Sequence, residues 1–239
     1  MIKEALAYVV GLSRPELVET EDGHWSDRKL TRVSYNPKAD AVRMSTLTSL
    51  VDYIKSGVDE ITERMIIHVV SPLEVRLFSQ LDPDRLRETL VMVVGNVPEF
   101  KYGSYMGHEE FLIALQSKFQ QGKDRDLLLK FAGTVENGTL SNYGDDGVTQ
   151  KATVSKGIAS KEQCIVPNPV HLQPFRTFVE VDQPESAFVF RMRDDGRDGV
   201  QCAIFEADGG AWKNEAMENI RAYLQDELAE FGDMFMVIS

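Results

Sequence analysis

The sequence predicts an α+β protein with a mixed or mostly antiparallel sheet, amphipathic helices and a β-rich C-terminal third. Three observations carry this. Strand-like and helix-like segments occur in runs rather than in strict alternation, which argues against a doubly wound parallel sheet. Residues 188–206 alternate side-chain character around a polar, glycine-containing turn, the pattern of an antiparallel hairpin. Met217, Ile220, Leu224, Leu228 and Phe231 recur at helical spacing and predict a long amphipathic helix near the end.

Taken in order, residues 2–12 read as a short helix, with Ile2, Leu6, Val9 and Val10 on one face and Gly11 able to end it. Glu21-Asp22-Gly23 is a turn signal between Leu17-Val18 and a second strand expected over Lys29 to Tyr35. Ser45 or Thr46 can cap a helix carrying Leu47, Leu50, Val51 and Ile54, with Gly57 as its stop. Two strands follow, Met65 to Val70 and Glu74 to Phe78, separated by Ser71-Pro72. The continuous apolar run Leu90 to Val94 predicts a strand buried on both faces, and Gly95-Asn96 after it a plain turn. A helical pair comes next, one helix with Phe111, Leu112, Leu115 and Phe119, the other with Leu127, Leu128, Phe131 and Val135, linked by Gln120 to Lys123.

From Gly138 to Lys161 small and polar residues dominate, and the segment reads as a long loop or a set of short exposed strands. The expected organisation is an α+β part over 1–137, a flexible loop or arm over 138–161, and a hairpin plus helix over 162–239 packed into the same domain. Gln163 to Val166 and Phe175 to Val181 read as strands interrupted by Pro167, Pro169 and Pro174. Phe188, Phe190 and Met192 share the core side of the hairpin, and Val189, Arg191 and Arg193 the wet side. Met234 to Ile238 reads as a last strand.

The charge balance narrows the function classes. The chain carries 26 basic and 38 acidic residues in 239, a net charge of -12. Phosphate contacts supply most non-specific nucleic-acid affinity, so an acidic chain argues against that activity while leaving room for a local basic patch. A basic partner and a solubilising surface both fit it. Cys164 and Cys202 stand alone in apolar contexts and read as reduced structural thiols, which, with no basic signal-peptide lead at the N-terminus, predicts a cytoplasmic protein. No apolar run approaches the roughly 20 residues of a membrane span.

No familiar catalytic signature is legible. Phosphate cradles, nucleophile elbows and CxxC pairs are missing from the sequence, and His24, His68, His108 and His171 are scattered. No cofactor or metal is expected. Asp194 to Gly199 partly resembles a calcium loop, but its twelfth position is Phe205, so a hairpin turn is the better account. Pairing of Cys164 with His171, or of Cys202 with His68, would supply a thiol nucleophile and base, although the spacing favours neither.

The candidate binding residues are therefore cationic or aromatic. Arg176, Arg191, Arg193 and Arg197 lie on or near one β-unit and could form a basic stripe for single strands. Tyr102 and Tyr105 sit in a glycine-containing stretch, Lys101 to Gly107, that fits a binding loop as well as a packed connector.

Three segments carry a likeness: Leu47 to Lys55, Val166 to Phe175, and the final helix after Gly210-Ala211-Trp212. In their order the chain resembles the phage and prophage early-region family of unknown function that includes the cryptic-prophage protein YfdQ. The resemblance spans roughly residues 45 to 231, as segment order more than identity, and Tyr102 to His108 lacks the tryptophan-rich stretch expected there. It implies a viral or prophage gene expressed near recombination and replication functions, and brings no catalytic residues. The first expectation is a non-enzymatic, self-associating protein, a homo-oligomer that binds or sequesters a host factor or small ligand. The alternatives are an accessory of phage replication or recombination, and an enzyme with a carboxylate or Cys-His site.

Overall fold

The computed structural model describes residues 2–12, 17–20, 23–26, 38–83, 85–136, 139–145, 150–156, 160–166, 168–194 and 199–239. The chain divides into two compact units, Met1–Ala39 and Asp40–Ser239.

The first unit holds helix α1 (Ile2–Leu12) and strands β1 (Leu17–Thr20) and β2 (Gly23–Ser26). β1 and β2 form an antiparallel hairpin whose register starts at Thr20↔Gly23 and ends at Leu17↔Ser26. The second strand therefore starts at Gly23 rather than at Lys29, while Glu21 and Asp22 of the expected turn lie outside the described residues. Residues 29–35 lie outside the described residues.

The second unit is α+β. Its first sheet has five strands in the order β14-β4-β5-β6-β3. These are β3 (Val42–Met44), β4 (Met65–Ser71), β5 (Glu74–Ser79), β6 (Thr89–Val94) and the C-terminal β14 (Phe235–Ile238). The three central strands run antiparallel, while both edges are parallel to their neighbours. Helix α2 (Leu47–Ser56) starts where Thr46 Oγ1 accepts the Ser49 N–H at 3.2 Å. It stops at Gly57, which takes the left-handed φ of 61° and returns its N–H to the Ile54 carbonyl. α2 buries Leu47, Leu50, Val51 and Ile54 against Ile67, Val69, Val75, Leu77, Val91 and Val93. Each side chain so buried stabilises the fold by about 1.5–3 kcal/mol relative to exposure.

β6 corrects one expectation. Val91 and Val93 are fully buried, but Met92 is half-buried and Val94 exposed, so the strand is covered on one face only. A continuous apolar run cannot distinguish two-sided burial from one-sided burial with an apolar outer row.

The second sheet has the order β11-β12-β13-β7, from β7 (Met106–Gly107), β11 (Val170–Leu172), β12 (Ser186–Asp194) and β13 (Val200–Glu206). The predicted helical pair is α3 (His108–Lys118) and α4 (Lys123–Glu136). They cover this sheet with Phe111, Leu115, Phe119, Leu128 and Phe131, against Phe188, Phe190, Met192, Cys202 and Ile204. Leu127, expected on the core face, is exposed, and Leu128 takes the core position. A third, three-stranded antiparallel sheet occupies the polar segment: β8 (Thr139–Asp145), β9 (Gln150–Lys156) and β10 (Ser160–Val166).

Phe175 to Val181, expected as a strand, is not one; only Pro174 makes an isolated bridge, to Phe119. The buried Gln183 side chain takes the backbone groups a ladder would use. Its Oε1 accepts the N–H of Arg176 at 3.0 Å and of Thr177 at 3.2 Å, and its Nε2 donates to Phe178 O at 2.9 Å and Val181 O at 3.2 Å. This clamped segment joins the two main sheets. Thr177 Oγ1 donates to Pro72 O at 2.6 Å, and Phe178 and Val181 enter the first core. Gly95 is more than a plain turn, because a Cβ there would meet the Phe178 ring at 3.0 Å.

The last helix, α5 (Trp212–Glu227), buries Ala216, Ile220 and Leu224. A 3-10 turn over Ala229–Met234, broken by Gly232 at φ 55°, returns the chain into β14. No helix among the described residues is long and apolar enough to cross a membrane.

Candidate interaction surface

Within the second unit, the five-stranded sheet has one face packed on α2 and α5 and one face that the described elements of that unit leave open. Strand alternation decides what the open face shows. Two cross-strand rows result. One runs Thr89–Phe78–Ile66–Met236 and the next Arg43–Met92–Arg76–His68–Ile238. The first row is apolar and aromatic, and the second carries the cations. Phe78 and His68 meet edge to face with ring centroids 6.3 Å apart, and the Arg87 guanidinium lies 5.1 Å from the Phe78 centroid. Arg76 is drawn to Glu74, whose Oε1 accepts from its Nε at 2.6 Å. Arg43 is exposed, as are Met236 and Ile238 on β14.

A second charged cluster is enclosed. Arg176 is 6% exposed, and its guanidinium lies 3.9 Å from the Trp212 ring centroid and 5.7 Å from that of Phe188. Its Nη1 donates to Glu206 Oε1 at 2.9 Å and its Nη2 to Ser186 Oγ, whose hydroxyl donates to Asp208 Oδ2 at 2.5 Å. Burial lowers the Arg176 pKa, opposed by the nearby Tyr102, Glu206 and Asp208. Burial alone would raise the Asp208 carboxyl; the Ser186 hydroxyl, the Gly210 N–H and Arg176 outweigh it and hold it below its usual value. This is a latch between the 173–185 segment, the β12–β13 hairpin and the start of α5; both Nη atoms are committed to protein partners, while the buried Nε has none among the described residues.

The predicted binding residues are thus brought together in two separate pairs. Tyr102 stacks on Phe188 at 5.5 Å, next to Arg176, and burial pushes its hydroxyl up to about 12. Arg193 lies exposed near the other end of the hairpin, 4.0 Å from the Tyr105 ring centroid, with its Nε donating to Gln201 at 2.9 Å. Arg176 packs on the buried face of β12, while Arg191 and Arg193 alternate with it on the other, so they do not share a stripe. Arg191 is half-buried and donates to the Phe190 carbonyl at 2.9 Å. Arg197 and the centre of the hairpin turn lie outside the described residues.

Other polar groups are occupied by structure. Asp124 Oδ2 accepts the His171 main-chain N–H at 2.7 Å, and His171 Nδ1 faces Glu185 at 3.4 Å, beside a recess of about 340 Å3 at the start of α4. His68 and Cys202 belong to different sheets, Cys202 inside the second core, where burial pushes its thiol up to about 12. Cys164 is in β10, and its side chain lies outside what is described.

Sequence reading passed over Arg43, Arg76, Arg87 and Phe78 as site residues and weighed His68 only as a base for Cys202. The available signal was the alternation of Ile66, His68 and Val70 and of Glu74, Arg76 and Phe78 with buried residues; only strand register showed that they share a face. Set against known proteins, the chain matches no family model, no curated sequence and no solved structure.

Proposed function

We propose that the chain is a non-catalytic binding protein that works as a self-associated assembly, two copies joining through β14. The observation that carries this is the β14 edge. Among the described residues it pairs on one side, with β4, and it exposes Met236 and Ile238 on the open face. An unpaired edge with apolar side chains is a template for another strand. A β14–β14 contact about a two-fold axis would join two five-stranded sheets into one continuous platform. Four residues give only about four main-chain hydrogen bonds, so the apolar pair and the adjoining groove of about 470 Å3, lined by Leu224, Leu228, Phe235 and Met236, have to contribute the rest of the contact.

The displaced protonation equilibria among the described residues have structural causes. Tyr102, Arg176 and Cys202 owe their shifts first to burial, and Tyr53 to burial and its 2.5 Å hydrogen bond to Asp59. A cytoplasmic setting, from the isolated thiols, and a viral or prophage origin, as the segment order implies, belong to the same proposal.

Native mass spectrometry of the protein as purified tests it. The expected result is a species at twice the 26.9 kDa chain mass, reduced to monomer by Met236→Glu with Ile238→Glu. A wild-type chain that stays monomeric at micromolar concentration would remove the assembly.

A further inference from the structure

We propose that the open face of the five-stranded sheet binds single-stranded nucleic acid, with bases on the Phe78 row and phosphates on the Arg43–Arg76–His68 row. The inference goes beyond self-association and does not depend on it.

Charge comes first. The chain is net -12, yet among the described residues the strands of this face present the guanidiniums of Arg43, Arg76 and Arg87 against the carboxylate of Glu74. Glu74 offsets Arg76 alone, at 2.5 Å. Arg43 has no ion-pair partner among the described residues. The partner that complements such a face is anionic. A second copy of the same face would set arginines against arginines, which like-charge repulsion opposes.

Row geometry then selects among anionic partners. Neighbouring strands lie about 4.8 Å apart and alternate residues along a strand about 6.8 Å apart. A cation row therefore runs across the strands beside a row that holds Phe78, Ile66 and Met236. Single-strand binders combine these two parts, a positively charged track for the backbone and aromatic or apolar platforms for the bases. The Arg87 guanidinium now lies over the Phe78 ring, and a base stacking there would take its place and leave that cation beside the strand's backbone. An acidic peptide would satisfy the cations but would leave the Phe78 row with no planar group to stack.

Fluorescence anisotropy of a labelled oligothymidylate of about 20 nucleotides with the full chain tests this. Binding is expected at low salt, weakened at least tenfold by Arg43→Gln with Arg87→Gln, and with a salt dependence shallower by about 0.7 per phosphate contact removed. Phe78→Leu should weaken binding several-fold with the salt slope unchanged. Arg193→Gln, on the other sheet, should leave affinity as it was; circular dichroism checks that every variant is folded. No binding at low salt would overturn the proposal. So would an equal loss with Arg193→Gln, or displacement of the oligonucleotide by polyglutamate as effective as by unlabelled oligothymidylate. Subunit number, read separately by native mass spectrometry, shows whether the assembly or the face has failed.

Discussion

Replacing Arg176 by methionine removes a cation from the latch while keeping a side chain of similar length. Three losses follow. The stack on Trp212 contributes about 1–2 kcal/mol where it is desolvated. Ser186, a buried hydroxyl, loses its charged donor, at about 1 kcal/mol. The pair with Glu206 counts for little, about 0.5 kcal/mol, because that carboxylate is 39% exposed and keeps its water. The expected total is about 3 kcal/mol, at the lower end of what breaking a buried ion pair costs. For a chain of this size that corresponds to a drop of roughly 6–12 °C in Tm. Urea unfolding at pH 7 should show it as a lower midpoint at an unchanged slope. The acid limb gives an independent readout. Asp208 is held below its usual 3.8, so its contribution is present above about pH 4 and is lost as pH falls through the depressed value. Without Arg176 the Asp208 pKa rises toward its usual value, so the share of the acid loss that Asp208 carries should shrink. A destabilisation under about 1 kcal/mol with an unmoved acid limb would refute the latch.

Gln183→Leu should cost about 3 kcal/mol or more by urea unfolding, since it strands the buried N–H groups of Arg176 and Thr177 and the Phe178 carbonyl. Gly95→Ala should destabilise by about 1–3 kcal/mol, because the new methyl meets the Phe178 ring inside the core; full wild-type stability would mean that this contact is looser than described. Thr46→Ala removes the cap of α2 and should cost about 1 kcal/mol, with helicity reduced only slightly by circular dichroism. Peptide mapping after a thiol-reagent pulse at pH 8 should find Cys202 unlabelled in the folded protein and labelled in urea. The thiol and the hydroxyls of Tyr53 and Tyr102 have pKa values raised to about 12, so their stabilisation is complete below pH 9 and is lost as pH rises through 12. An unfolding free energy flat from pH 9 to 11 would contradict that linkage.

Local patterns were legible where local physics sets them. Thr46 and Gly57 mark both ends of α2, because capping needs only a side-chain oxygen at one end and a left-handed residue at the other. The 188–206 hairpin and the core side of α5 follow from periods of two and of 3.6 residues. Phe175 to Val181 was not legible, because its backbone partners come from one glutamine side chain and its composition is that of a strand.

The sequence by itself determined the α+β class, four helices of the second unit and the alternation along its strands, since these depend on neighbours within a few residues. Tertiary structure decided which arginines are available. Arg176 looks like a surface cation in the sequence and is enclosed by Trp212, Phe188, Glu206 and Ser186, residues 10 to 36 positions away. Arg43, Arg76 and Arg87 look unrelated and meet on one sheet face, because β3 pairs parallel to β6 and β5 antiparallel to it. Register between distant strands is a property of the closed core, and no window of sequence contains it.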